Sequence, residues 1–110
     1  MWQLFAKEKE AIKSLNKYHR QVAEWLSELG VQYVEEYPVE KFSIDLYLPE
    51  LNLGVELDGM YHRPKHDQAR DELIRLFSGI PIIRIKVGTP KQKCLETIFG
   101  DNYALLDSKT

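Results

Sequence analysis

Asp45, Glu56 and Asp58 lie on two short stretches whose apolar residues alternate, so their placement can be read from side-chain parity. In Ser43–Leu48, Ile44, Leu46 and Leu48 take one side and Ser43, Asp45 and Tyr47 the other. In Leu51–Asp58, Leu51, Leu53, Val55 and Leu57 take one side and Asn52, Gly54, Glu56 and Asp58 the other. Pro49-Glu50 marks a turn, and the two stretches are predicted to form a hairpin. If the hairpin buries one apolar face, Asp45 shares a face with Glu56 and Asp58, and all three converge on one edge. A connection over 49–52 sets Asp45 opposite Glu56, with Cβ atoms ~5 Å apart. Like charges at that separation repel unless a proton or cation lies between them. Oxygen donors without a basic partner in the hairpin suit a hard ion, Mg²⁺ or Mn²⁺. The competing explanation is an acidic strand surface facing water. Against it, strands disfavour Asp, and both Asp45 and Asp58 break that preference in one place.

The surrounding elements must position this hairpin. Residues 6–29 read as a helix ended by Gly30, with Ile12, Leu15, Val22, Leu26 and Leu29 at three-four spacing. His19 fills the gap in that stripe and so turns toward the sheet, either as a core histidine or as a helper beside the carboxylates. Val31–Tyr37 reads as a strand broken at Pro38. After Gly59 and an irregular stretch through Pro64, residues 66–78 read as a second helix. Its expected apolar face is Ala69, Leu73, Leu76 and Phe77, and Gly79 stops it. Ile80–Val87 alternates as a strand, with Ile83, Ile85 and Val87 opposite Ile82, Arg84 and Lys86. Thr89 as N-cap and Pro90 at the first helical position open a last helix to Phe99. The order is α-β-β-β-α-β-α, an α/β (α+β) domain spanning 1–110 with a mixed sheet flanked by helices.

Composition bounds the setting. The chain has 110 residues, 44% hydrophobic and 29% charged, the balance of a single globular domain. No apolar run approaches the ~18 residues of a membrane span, and Met1 to Phe5 do not read as a signal peptide. The single cysteine, Cys94, can form neither an internal disulfide nor a zinc site alone, so a reducing cytoplasm is expected. The net charge of −2 conceals an asymmetry: residues 60–93 hold eight Lys/Arg against three acids, while the first 59 residues are acidic. A basic half beside an acidic cluster fits phosphate binding near a cation, and it fits surface scatter equally well. Trp2, Leu4 and Phe5 form an apolar start that can pack on its own domain, on a second copy or on a partner protein.

Several pieces in order carry a family resemblance. They are Phe42 to Glu50 with its Asp45, the run Val55-Glu56-Leu57-Asp58-Gly59-Met60-Tyr61-His62, then Asp67-Gln68-Ala69-Arg70, and Gly79 leading to Arg84. Together they resemble the very-short-patch-repair-like branch of the PD-(D/E)XK nuclease superfamily, which includes phage homing-type endonucleases. The resemblance spans roughly residues 16–87. It implies a restriction-endonuclease-like fold and Mg²⁺- or Mn²⁺-dependent hydrolysis of DNA, with RNA not excluded, in a bacterial or phage-infected cell. It makes Asp45 and Glu56 the metal carboxylates and the Leu57 backbone carbonyl a further ligand. Asp58 stands where the superfamily has lysine, leaving His62, or the pair His66 and Asp67, to move the proton or hold phosphate. Asp67 and Arg70 brace the loop, Arg63, Lys65 and Lys86 meet the phosphate backbone, and Arg84 faces either that backbone or the carboxylates. The family's glutamate on the first helix falls at His19. These two departures keep an alternative open: a weak or inactive nuclease-fold module that binds nucleic acid or a protein.

Overall fold

The computed structural model describes the backbone of residues 6–59, 64–100 and 103, and the side chains among these from residue 12 onward. The elements are α1 (Ala6–Glu28), β1 (Val34–Val39), β2 (Phe42–Leu48), β3 (Leu53–Asp58), α2 (Pro64–Ser78), β4 (Ile82–Lys86) and α3 (Lys91–Phe99). This is the predicted order. The four strands form one mixed sheet in the order β1-β2-β3-β4. The first three are antiparallel, and β4 lies parallel to β3 after the α2 crossover.

The sheet separates two cores. On one face, Tyr18, Val22 and Leu26 of α1 and Cys94, Leu95, Ile98 and Phe99 of α3 close over Leu46, Leu48, Val55, Leu57 and Ile85. Of the stripe expected on α1, Val22 and Leu26 are buried, Leu15 and Leu29 are partly buried against the same core, and Ile12 is exposed. On the other face, a smaller cluster joins Ile74 of α2 to Val39, Ile44 and Ile80.

Four local expectations are corrected. Pro38 does not break its strand, because β1 is at the sheet edge and needs no inward N–H there. The second hairpin strand begins at Leu53 rather than Leu51, since residues 49–52 are taken up by the turn. Thr89 does not cap α3: its hydroxyl donates to the Lys86 carbonyl, and Pro90 precedes the helix without a side-chain cap. The largest correction concerns α2. Leu73, Leu76 and Phe77 are exposed, Leu76 to 75%, and Asp67, Arg70, Asp71 and Ile74 turn toward the sheet instead.

Alternation also slips once, at Asp45. Ile44 packs in the same cluster as Tyr47, three residues on, while Leu46 and Leu48 lie in the other. Ile44 was expected beside Leu46. Across the sheet Glu36, between the paired residues Glu35 and Tyr37, has φ 50°, and the Leu57 N–H donates to the Asp45 side chain at 2.9 Å. A one-residue irregularity of this kind re-aims a side chain.

Candidate functional site

The site lies on the α2 face of the sheet. Leu46↔Val55, Tyr47↔Gly54 and Leu48↔Leu53 pair across the hairpin, and Asp45 and Glu56 are the next residues beyond the Leu46↔Val55 pair. The Asp45 carboxyl lies close enough to Glu56 to disfavour its charged form. Glu56 is 6% exposed, the one buried charged residue named among the described residues, while Asp45 is half-buried. Burial, reinforced by the Asp45 carboxyl, pushes the Glu56 pKa up to about 8. Arg70 opposes that rise, with Nη1 2.6 Å from Glu56 Oε1, but does not cancel it. Glu56 therefore keeps its proton into the neutral range.

Arg70 reaches Glu56 because α2 sets it inward beside β2. Its Nη2 donates to the Ser43 carbonyl, and its guanidinium lies 5.6 Å from the centre of the Phe42 ring. A second arginine sits one strand away, where Glu56 is paired with Arg84 in the parallel register. Arg84 donates Nη1 to Asp58 at 2.6 Å, and Nε and Nη2 to the two oxygens of Asp71 at 2.8 and 2.7 Å. Asp71, ahead of Asp58, holds the Arg84 guanidinium more firmly charged than usual. Asp67 Oδ2 lies 3.5 Å from Arg84 Nη1 and is buried without a hydrogen-bond partner. The adjoining cleft, about 370 Å³, is lined by Asp58, Asp67, Asp71 and Arg84 among others, but by neither Asp45 nor Glu56.

This geometry corrects the expected trio. Asp58 shares a sheet face with Glu56, yet it is tied to Arg84 rather than joined to Asp45 and Glu56. Among the described residues no group of three or more His, Cys, Asp and Glu is placed to hold a metal ion. Arg84, expected on phosphate or on the carboxylates, has its guanidinium on the carboxylates of Asp58 and Asp71. His19 does turn toward the sheet, but its Nε2 is 3.8 Å from Glu35 Oε1. Glu35 pairs with Leu46, which belongs to the α1 core, so His19 occupies the opposite face from Glu56. Lys65, His66 and Lys86 are exposed, and Leu57 meets Asp45 through its amide N–H. His62 and Arg63, with Trp2, Leu4 and Phe5, lie outside the described residues.

Asp71 is the residue the sequence reading missed. It had a signal: Asp67, Arg70, Asp71 and Ile74 repeat at three, one and three residues, the spacing of one helix face. Apolar periodicity does not register it, because α2 builds most of its inward face from charged residues.

The two carboxyls fit a hard divalent ion by their chemistry. Both supply oxygen, and a cation would offset the like charge that raises the Glu56 pKa. Mg²⁺ commonly takes one or two protein carboxylates and completes its shell with water and substrate phosphate.

The mixed sheet, the α2 crossover and the flanking helices define a nuclease-like α+β fold. One solved structure sharing it is the Homing Endonuclease I-Bth0305I Catalytic Domain, at 18% identity and TM-score 0.59, covering 79% of this chain and 92% of that one. No protein-family model matches the sequence, and no curated protein does. Among the described residues no helix is long and apolar enough to cross a membrane.

Proposed function

We propose that the chain is a divalent-metal-dependent endonuclease that hydrolyses phosphodiester bonds in DNA. The observation that carries this reading is the buried Asp45–Glu56 carboxyl pair on a fold shared with a homing endonuclease catalytic domain. Asp45 and Glu56 would hold Mg²⁺ or Mn²⁺, with the Leu57 carbonyl as a further oxygen donor. The ion supplies an activated water and offsets charge on the phosphate.

The chain's own residues do the rest. The Leu57 N–H fixes the Asp45 carboxylate, and Arg70 orients Glu56. Asp58 is held by Arg84 as part of the wall, not as a ligand. Lys65 and Lys86, exposed beside the site, and Arg63 would position the phosphate backbone. His62, carried over from the superfamily resemblance, would take or give the proton. One such site per chain makes a single-strand nick the natural product of a monomer.

The test is supercoiled plasmid incubated with the purified chain in Mg²⁺, Mn²⁺ or EDTA. Nicked circles in either metal and none in EDTA are expected. A second reading, a nuclease-fold module that binds without cutting, draws on the absence of a third metal-ligating group among the described residues. Plasmid retarded on a gel but never nicked would decide for it.

A further inference from the structure

Arg70 already holds one of the Glu56 oxygens that a cation would draw on. Its Nη1 is 2.6 Å from Glu56 Oε1, and a divalent ion needs the same carboxylate oxygens at ~2.0–2.1 Å. Two cations cannot occupy that side of one carboxyl without strong repulsion. The same Nη1 lies 3.8 Å from Asp71 Oδ1, the next carboxylate along. Arg70 is also anchored independently of Glu56, by the Ser43 carbonyl and by the face of Phe42. A guanidinium held at one end in this way can pivot from one acid to the other without leaving the site. Asp71 has room for it: its oxygens already bind Arg84 Nε and Nη2, and a carboxylate offers about four lone-pair positions.

We propose that Arg70 is a positioning residue that competes with the divalent cation for Glu56, and that Asp71 receives its guanidinium when the cation binds. Arg70 keeps Glu56 in place until metal arrives, and Asp71 couples that exchange to the Arg84–Asp58 pair. This rests on the reading of Asp45 and Glu56 as metal carboxylates.

The measurement is Mn²⁺ binding by calorimetry on the whole chain, without DNA, for wild type and for Glu56→Gln, Arg70→Gln, Arg70→Lys, Asp71→Asn and Asp71→Glu. Arg70→Gln is expected to tighten Mn²⁺ about tenfold, the scale of one released charge-assisted hydrogen bond. Asp71→Asn is expected to weaken it about threefold, because the displaced guanidinium loses its acceptor. Arg70→Lys and Asp71→Glu should stay near wild type. A merely structural role for both residues predicts weaker binding in both, so the opposite signs are the signature. Weaker or unchanged affinity in Arg70→Gln overturns the proposal while Glu56→Gln still abolishes binding. Should Arg70→Gln fail to fold, Asp71→Asn decides alone: unchanged or tighter binding overturns it. No Mn²⁺ binding by wild type overturns both the proposal and the metal-site reading.

Discussion

The two faces of the sheet are built on opposite principles. Under α1 and α3 the contacts are apolar, with Val22, Leu26, Leu46, Leu48, Val55, Cys94 and Leu95 fully buried. Under α2 the same sheet presents Glu56, Asp58 and Arg84, and the helix answers with Asp67, Arg70 and Asp71. Only Ile74 of α2 is buried, while Leu73, Leu76 and Phe77 face outward. The first face supplies stability through area removed from water. The second holds charge at a fixed place in partial burial, which is costly unless each group is paired. The division lets the α2 face keep an unfavourable carboxyl pair, because the other face holds the strands that carry it.

The sharpest break in the comparison comes from truncating one leucine on each side. Leu26→Ala removes a fully buried side chain from the apolar face and should cost about 2–5 kcal/mol in a urea melt. Leu76→Ala, on the outward side of α2, should stay within about 0.5 kcal/mol. Equal losses would mean that the outward stripe of α2 is packed after all.

Charge should matter on the second face instead. Arg84→Met strips Asp58 of its ion pair and leaves Asp71 with only the longer contact to Arg70, and should destabilise by about 2–3 kcal/mol. Adding Asp71→Asn to it should recover part of that loss, and simple additivity in the double-mutant cycle would show that the pair is not coupled.

A smaller effect concerns pH. Burial and Asp45 raise the folded-state pKa of Glu56 to about 8 from 4.5, so the native state holds its proton more tightly than the unfolded chain. The stabilisation from that proton is complete below the unfolded value and is lost as pH rises through about 8. Wild type should therefore lose stability from about pH 5 to 8, and Glu56→Gln, which faces the same Asp45 and Arg70, should show a flatter profile. A Glu56→Gln profile parallel to wild type would place the titration elsewhere.

What the sequence made legible follows the same division. The element order, the Val22 and Leu26 part of the α1 stripe and the hairpin that brings Asp45 and Glu56 near each other were readable, because each rests on apolar periodicity or on strand parity. The inward face of α2 was not, since a hydrophobic stripe signals burial only where the space beneath it is apolar. Asp67, Arg70 and Asp71 outbid Leu73, Leu76 and Phe77 for the inside because Glu56, Asp58 and Arg84 were waiting there. The slip at Asp45 was hidden too: strict alternation placed Ile44 with Leu46, and nothing in the residue types marks the irregularity. Asp58 was grouped on one face with Asp45 and Glu56 without a basic partner because that partner, Arg84, is distant in sequence. His19 was correctly turned toward the sheet, but a helical stripe cannot say which face of the sheet its helix covers.

The central claim is that the Asp45–Glu56 pair on the α2 face is the working site. Its most direct test is metal-dependent nicking of supercoiled plasmid by wild type beside Glu56→Gln, with both proteins shown to be folded by circular dichroism. The account predicts nicking by wild type in Mg²⁺ or Mn²⁺ and at least about a hundredfold less by the folded variant, the scale of losing a group that stabilises the transition state. Undiminished nicking by folded Glu56→Gln would contradict it.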